Sequence, residues 1–562
     1  MKIPETLSWV KHRSVAIRIF LTGFLLSGFS YAVLGFLVPS TTFSTANGVW
    51  KLSTAALWSS GEGHVDFANV LFMAVATSVF EIAQAFDLTP TRVLVWFNSA
   101  AMAFATGFLG LTIYKLTKSQ KTSVIFSVMF ALSGGALTHA LGSEDIAGAV
   151  FGISVAFFFL SYVSSQSLLP LKILLGLGGS LAFIHLWEWR AALPLCVGIC
   201  VAWAIRAWRQ NWRVNVRELT WVLTSWVLTL FSALLFIVAV LRLGHSDRWF
   251  WPLGLIFPGK GLGTVWAGFS TDKITFEVIG LFESIIGGRN VSVPQLDFSP
   301  FALAVIAFVV VFFSLGVVIG LRSEKLNFIA TASIVSWLAA VLFNLYSQPQ
   351  DPQMQVTQSV QLFLWAAVGY FSVARAVSTG SRVRTRFLRA APLTLALASV
   401  CFFQGFPPIW STSPAGDDEQ FEEAQSLRLA VLDAESTLYG SGWEPQTAWI
   451  ALANNGVNIN HVGFHGPWQR GAINGFFPVS FIASNPNGSA QDWVCASWVE
   501  IREYSESSFI RLGSAGAINF SGFATLVDSV RVEQFESLWA AGYGSESLPK
   551  IDRVFLESYC DG

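Results

Sequence analysis

Three short polar segments, set between long apolar runs, hold the residues best suited to chemistry. Residues 60–70 read Ser-Gly-Glu-Gly-His-Val-Asp-Phe-Ala-Asn-Val, which puts Glu62, His64 and Asp66 within five positions and flanks Glu62 with glycines. A carboxylate in a partly desolvated loop is suited to take a proton from a hydroxyl or nitrogen. Asp66 also stands where an apolar amphipathic stretch begins, so capping that helix is a competing role for it. Capping does not account for Glu62. Residues 142–145 read Gly-Ser-Glu-Asp and add Glu144 and Asp145 in a turn too short to be a domain, with His139 one helical turn earlier. There too, Asp145 as a cap with an exposed Glu144 is the alternative. In the third segment, His185, Glu188 and Arg190 are interleaved with Trp187 and Trp189. An interfacial aromatic belt with a local ion pair would produce the same pattern.

Two further stretches supply cations and amides. Residues 242–299 carry Arg242, His245, Arg248, Lys260, Lys273 and Arg289. Arg and Lys are what a phosphate or pyrophosphate requires, although each of these cations could equally face solvent. Residues 348–355 hold Gln348, Gln350, Asp351, Gln353 and Gln355, and Gln358 and Gln361 continue into the next apolar run. Amides near lipid must face a cavity or a partner. They suit sugar hydroxyls because they both donate and accept. Carboxylates on two short loops, cations on a long one and a row of amides (with His185, Glu188, Asp351 and Gln353 lining a polar cavity) fit group transfer from an anionic lipid carrier. A carboxylate would deprotonate the acceptor and cations would neutralise the departing phosphate.

These segments must be positioned by membrane helices. Of the 562 residues, 53% are hydrophobic and only 12% charged, about half the charge of a soluble domain. That excludes a disordered chain and an ordinary cytosolic enzyme. The net charge of −1 gives no global pull toward nucleic acid. Eleven apolar runs are long enough to span, near 15–38, 93–114, 122–141, 146–163, 169–186, 191–205, 219–241, 300–321, 326–346, 357–374 and 388–404. The basic residues sort with them. Lys2, Lys11, Arg13 and Arg18 come before or early in the first span. Lys115, Lys118 and Lys121 follow the second, Arg206, Arg209, Arg213 and Arg217 the sixth, and Arg322 and Lys325 the eighth. Arg375, Arg382, Arg384, Arg386 and Arg389 precede the last. With eleven spans all these clusters fall on one face, which the positive-inside rule makes cytoplasmic. The acidic loops, 242–299 and everything after about 405 then lie outside, and a bacterial inner membrane is the default location. The fold class expected is an all-α polytopic membrane protein with a C-terminal extracytoplasmic α+β domain.

That divides the chain into a membrane region, 1–405, and a polar domain, 406–562. In the latter, 493–501 and 508–511 read as strands and 418–439 as a helix. The 23 Trp suit interfacial belts or stacking platforms for sugars. In the polar domain Trp443, Trp449, Trp468, Trp493, Trp498 and Trp539 could bind glycan or simply form its core. Cys196, Cys200 and Cys401 lie in apolar runs and read as small core residues. Cys495 and Cys560 could pair if their domain is outside the cytosol.

The layout over 1–405 resembles the GT-C superfamily of polytopic glycosyltransferases. The shared features are a first span running inside to outside, an acidic first outer loop before an amphipathic helix, and a second acidic site between spans three and four. A long later outer loop and a C-terminal outer domain complete the pattern. The family's first-loop motif is usually Asp-Asp, Asp-Glu or Asp-x-Asp, whereas here Glu62 and Asp66 are separated by three residues. The resemblance implies a polyprenyl-phosphate sugar donor and a glycan or lipid acceptor. It gives the base role to Asp66 or Glu62, and a supporting role to Glu144, Asp145 and His64, which would orient the acceptor or hold a divalent metal such as Mg or Mn. Arg248, Lys260 and Arg289 would bind phosphate. Three rivals stay open: an O-antigen ligase or polymerase working through Arg248, His245 and Arg289; a lipid or glycan transporter; and a non-catalytic assembly protein.

Overall fold

The computed structural model describes residues 5–37, 55, 59, 69–86, 88, 90–142, 146–163, 169–241, 271–286, 300–346 and 352–377. The polar region 406–562 and the eleventh expected span, 388–404, lie outside them. Thirteen helices account for nearly all of the described residues: α1 Glu5–Leu37, α2 Val70–Ala85, α3 Pro90–Thr117, α4 Gln120–Ala131, α5 Gly134–Leu141, α6 Ile146–Val163, α7 Leu171–Trp187, α8 Trp189–Arg209, α9 Trp212–Leu241, α10 Thr271–Ile286, α11 Pro300–Arg322, α12 Asn327–Tyr346 and α13 Pro352–Val377. Eight of these, α1, α3, α6, α8, α9, α11, α12 and α13, are long and apolar enough to cross a membrane. The chain is an integral membrane protein.

The first ten spans expected from the sequence all coincide with helices, with two amendments. The run at 122–141 is not one helix but α4 and α5, bent by 60° at the break. Broken backbone at membrane depth survives only where its polar groups find partners. Here the Ser133 hydroxyl donates to the Phe130 carbonyl at 2.7 Å and accepts from the Ala136 N–H at 3.4 Å, while the Tyr31 phenol donates to the Ala131 carbonyl at 2.9 Å. Second, α7 has 17 residues and reaches only about 26 Å, a little short of the roughly 30 Å hydrocarbon core. The amphipathic stretch expected after Asp66 is α2. Helix α10, inside the long segment 242–299, was not anticipated.

Helix α13 is the hub. It packs against α3, α4, α5, α6, α10, α11 and α12, and its residues 355–370 are buried without a gap. Its closest neighbour is α11, where glycines let the backbones meet. A Cβ on Gly316 would lie 1.9 Å from the Trp365 carbonyl oxygen, and one on Gly369 would lie 2.1 Å from that of Phe312. Membrane helices pack largely through such small residues, because lipid supplies no hydrophobic drive between them. Helices α1 and α9 stand at the rim and turn Leu25, Phe29, Leu228 and Phe236 outward.

The basic loops gather at one end of this bundle. Arg206 of α8 pairs with Glu218 of α9 at 3.5 Å and lies over the Phe328 ring of α12. Glu218 also accepts the Leu169 N–H at 3.1 Å, just ahead of α7. Lys115 of α3 contacts the ring of Tyr162 on α6. Cys196 and Cys200 are half-buried free thiols on α8, not core residues.

Candidate functional site

At the opposite end of the bundle four helix termini close on Trp187, the last residue of α7, which is 1% exposed. Phe97 of α3 and Phe183 of α7 stack on its ring at 5.6 and 5.4 Å, and Phe72 in the first turn of α2 meets it edge-on at 5.6 Å. Gly148 in the first turn of α6 lies beneath the indole; a Cβ there would come within 2.1 Å of it. The segment bearing Glu62, His64 and Asp66 runs into α2, and the one bearing Glu144 and Asp145 runs into α6. The near side of the second segment is also fixed, because Asn98 donates to the Gly142 carbonyl at 2.8 Å and Ser99 to that of Ala140 at 2.7 Å. Asn69, at the mouth of α2, has φ 62°, a left-handed conformation that Asn tolerates better than most residues.

The next residue after Trp187 is Glu188, fully buried. It interrupts the chain between α7 and α8 in an extended conformation and caps α8. Its Oε1 accepts the Arg190 N–H at 3.1 Å and the Arg190 Nε–H at 2.7 Å, while Oε2 accepts from Nη2 at 2.9 Å. This is a bidentate pair, the strong form of an Arg–carboxylate contact. Four residues on, Pro194 has no N–H to offer the Arg190 carbonyl, so the helix ladder lacks a rung there. Beside it α8, α12 and α13 enclose a crevice of about 20 Å3, lined by Glu188, Arg190, Ser336, Asn344, Gln358 and Gln361 among others. Both amide atoms of Gln358 and the Oε1 of Gln361 are buried without a hydrogen-bond partner among the described residues.

The crevice backs onto a second polar cluster. Glu277 of α10 accepts from Gln355 Nε2 at 2.6 Å and from Asn344 Nδ2 at 3.5 Å, and Asn344 Nδ2 also donates to Gln355 Oε1 at 3.3 Å. Burial pushes the Glu277 carboxyl up to about 7. The Gln355 and Asn344 amides hold it back from rising further, as does Gln358, which lies near but in no hydrogen-bond geometry.

Sequence reasoning located Glu188 and the amide row that ends in Gln358 and Gln361. It placed His185 beside Glu188 in one polar cavity; instead His185 is buried against the Trp226 ring of α9, at 5.8 Å, and does not line the crevice. Glu62, His64, Asp66, Glu144, Asp145, Arg248, Lys260, Arg289, Asp351, Cys495 and Cys560 lie outside the described residues, as does the side chain of Gln353 in the first turn of α13. Among the described residues no three His, Cys, Asp or Glu side chains are grouped as for a metal ion; the metal considered for Glu144 and Asp145 concerns residues outside them. Sequence reasoning missed Glu277. Its signal was an acid flanked by Phe276 and Val278 in an apolar pattern of helical period, obscured by the other charges of the segment.

No family model matches the sequence, and neither does any curated protein. Among solved structures, the chain is similar to ArnT from Cupriavidus metallidurans bound to undecaprenyl phosphate, at 11% identity and a TM-score of 0.44, covering 78% of this chain and 76% of that one. The apo form of the same protein gives the same values. It is also similar to the S. cerevisiae protein O-mannosyltransferase Pmt1-Pmt2 complex bound to the sugar donor, at 13% identity and a TM-score of 0.33, over 49% of this chain and 37% of that one. At these values the likeness carries no argument about this chain, and the functional reading rests on its own residues.

Proposed function

We propose that this protein is a membrane glycosyltransferase that moves a sugar from a polyprenyl-phosphate donor to a glycan or lipid acceptor at the outer face of the membrane. The observation that carries the reading is the convergence on Trp187. The helix starts that follow both acidic segments meet there, next to the buried Glu188–Arg190 pair, at the end of the bundle away from the basic loops. That arrangement supports carboxylates from two loops acting on one substrate.

Asp66, or else Glu62, takes the proton of the acceptor hydroxyl or nitrogen. The acceptor atom bonds to the anomeric carbon as the bond from that carbon to the phosphate oxygen breaks, and the polyprenyl phosphate leaves with the electron pair. Arg248, with Lys260 and Arg289, neutralises the charge developing on that phosphate. Glu144 and Asp145 orient the acceptor; a divalent metal bound by them would supply further charge stabilisation. The N-terminus is cytoplasmic, and residues 406–562 form an outer accessory domain. Asp66→Asn and Glu62→Gln, assayed separately in membrane-inserted protein, test the assignment. One of them should lose about 10²–10⁴-fold in turnover while still binding the donor. If both turn over normally, the base is neither residue; loss confined to Arg248→Ala or His245→Ala would then favour a ligase-type enzyme.

A further inference from the structure

Two amides in the crevice keep polar atoms without hydrogen-bond geometry to any described residue, although one of them, Gln358, also lies near Glu277. Gln358 is 1% exposed and Gln361 5% exposed, yet neither amide atom of Gln358 nor the Oε1 of Gln361 meets a hydrogen-bond partner among the described residues. Buried polar atoms are rarely left in that state, and each one that is calls for an explanation such as a water, an ion or a ligand. The lining limits what that ligand is. Glu188 and Arg190 neutralise each other through their bidentate pair, and Ser336, Asn344 and the two glutamines are neutral. An anion therefore gains no net attraction here, whereas a neutral group that donates and accepts is served by both amides. Size narrows the choice further. About 20 Å3 is space for little more than one water-sized group, too little for a sugar ring and enough for one hydroxyl.

We propose that the crevice receives the terminal hydroxyl of the donor sugar's exocyclic hydroxymethyl arm, so that the enzyme selects hexoses over the pentoses that lack this arm. The inference rests on the reading of the chain as a lipid-linked-sugar transferase and names the substrate feature that such an enzyme would read. The Gln358 Nε2–H donates to the arm's oxygen, whose single O–H donates in turn to the Oε1 of Gln358 or of Gln361. The ring and the phosphate stay outside the crevice. A pentose would leave both glutamines as they stand, and sites built to bond a hydroxyl discriminate strongly against analogues without it.

The test is equilibrium binding of undecaprenyl-phosphate sugars to the full chain in nanodiscs. D-glucose, D-galactose and D-mannose are compared with D-xylose, L-arabinose and D-lyxose, the same rings without the hydroxymethyl arm. At least one hexose should bind about 10- to 100-fold tighter than its pentose counterpart. Gln358→Leu should erase that preference by weakening the hexose toward the pentose value, and Gln361→Leu should reduce it. Equal affinities within all three pairs overturn the proposal, as does a preference that survives both substitutions. The comparison in the unaltered protein stands even if a variant fails to fold. If the folded, unaltered protein binds none of the six lipids, the transferase reading itself fails and takes this inference with it.

Discussion

Glu188 and Arg190 allow a quantitative test of the site's scaffold, by replacing them with Leu and Met singly and together. The Glu188 carboxylate is fully buried and accepts three hydrogen bonds from Arg190, whose side chain is 27% exposed. Breaking a buried pair costs about 3–5 kcal/mol, because the remaining charge is left uncompensated. The two single changes are not equivalent. Arg190→Met strands a carboxylate with no access to water, so about 3–4 kcal/mol is expected. Glu188→Leu strands a guanidinium that reaches solvent, which lowers the electrostatic cost, but it also removes the cap of α8; about 2–3 kcal/mol follows. The double variant removes both charges at similar volume and should lie within about 2 kcal/mol of the parent, because a buried pair is often replaced by apolar groups at little cost. Unfolding by SDS in mixed micelles, followed by far-ultraviolet circular dichroism, gives all four stabilities. Coupling of at least about 2 kcal/mol is the expected result, since contacting groups do not behave independently. Additivity within about 0.5 kcal/mol, or single changes that cost less than that, would refute the account of Glu188 and Arg190 as one buried unit.

Glu277, held near 7 against an ordinary 4.5, favours the protonated fold. Its stabilising share is complete below about pH 4.5 and is lost as pH rises through about 7, a fall of about 3 kcal/mol. Glu277→Gln should flatten that limb in the same SDS titration run across pH, and an unchanged profile would mean that Glu277 does not titrate there. Gly316→Leu should drive a side chain into the Trp365 carbonyl, which cannot move aside. A loss of about 3 kcal/mol or more and a weakened contact between α11 and α13 are expected, the contact read by disulfide trapping between engineered cysteines; parent-like stability would contradict the close approach. Asp351→Cys should react with an impermeant maleimide in intact cells, and Lys118→Cys only after permeabilisation; the reverse pattern would invert the orientation.

The helices at the ten expected runs were legible because these are apolar stretches set off by polar residues, and lipid leaves the backbone little choice but helix. What hydropathy could not show was the break at Ser133. A hydroxyl and a distant phenol repair it, and neither lowers the apolar average of 122–141 enough to notice. The site was legible in part for a similar reason. Glu188 and Gln358 stand out as polar residues in apolar surroundings, but which of several glutamines turns inward depends on the rotation of α13. His185 lies on α7 whereas Glu188 sits in the extended break that follows it, so the two side chains part and the His185 ring packs on Trp226 of α9. Glu277 was overlooked because an acid in a loop of mixed charge reads as a surface charge until α10 is seen lying against α13.

The hydrogen bond from Tyr31 to the Ala131 carbonyl joins residues one hundred positions apart, and it bears on how the protein is made. Ribosomes deliver α1 to the membrane long before α4 and α5 emerge. When the broken pair arrives, its exposed carbonyl needs a donor that lipid cannot provide, and the donor is already in place on the first helix. In a Tyr31→Phe chain the broken pair would enter the bilayer with that carbonyl unsealed, and the expected outcome is faster turnover by membrane quality-control proteases.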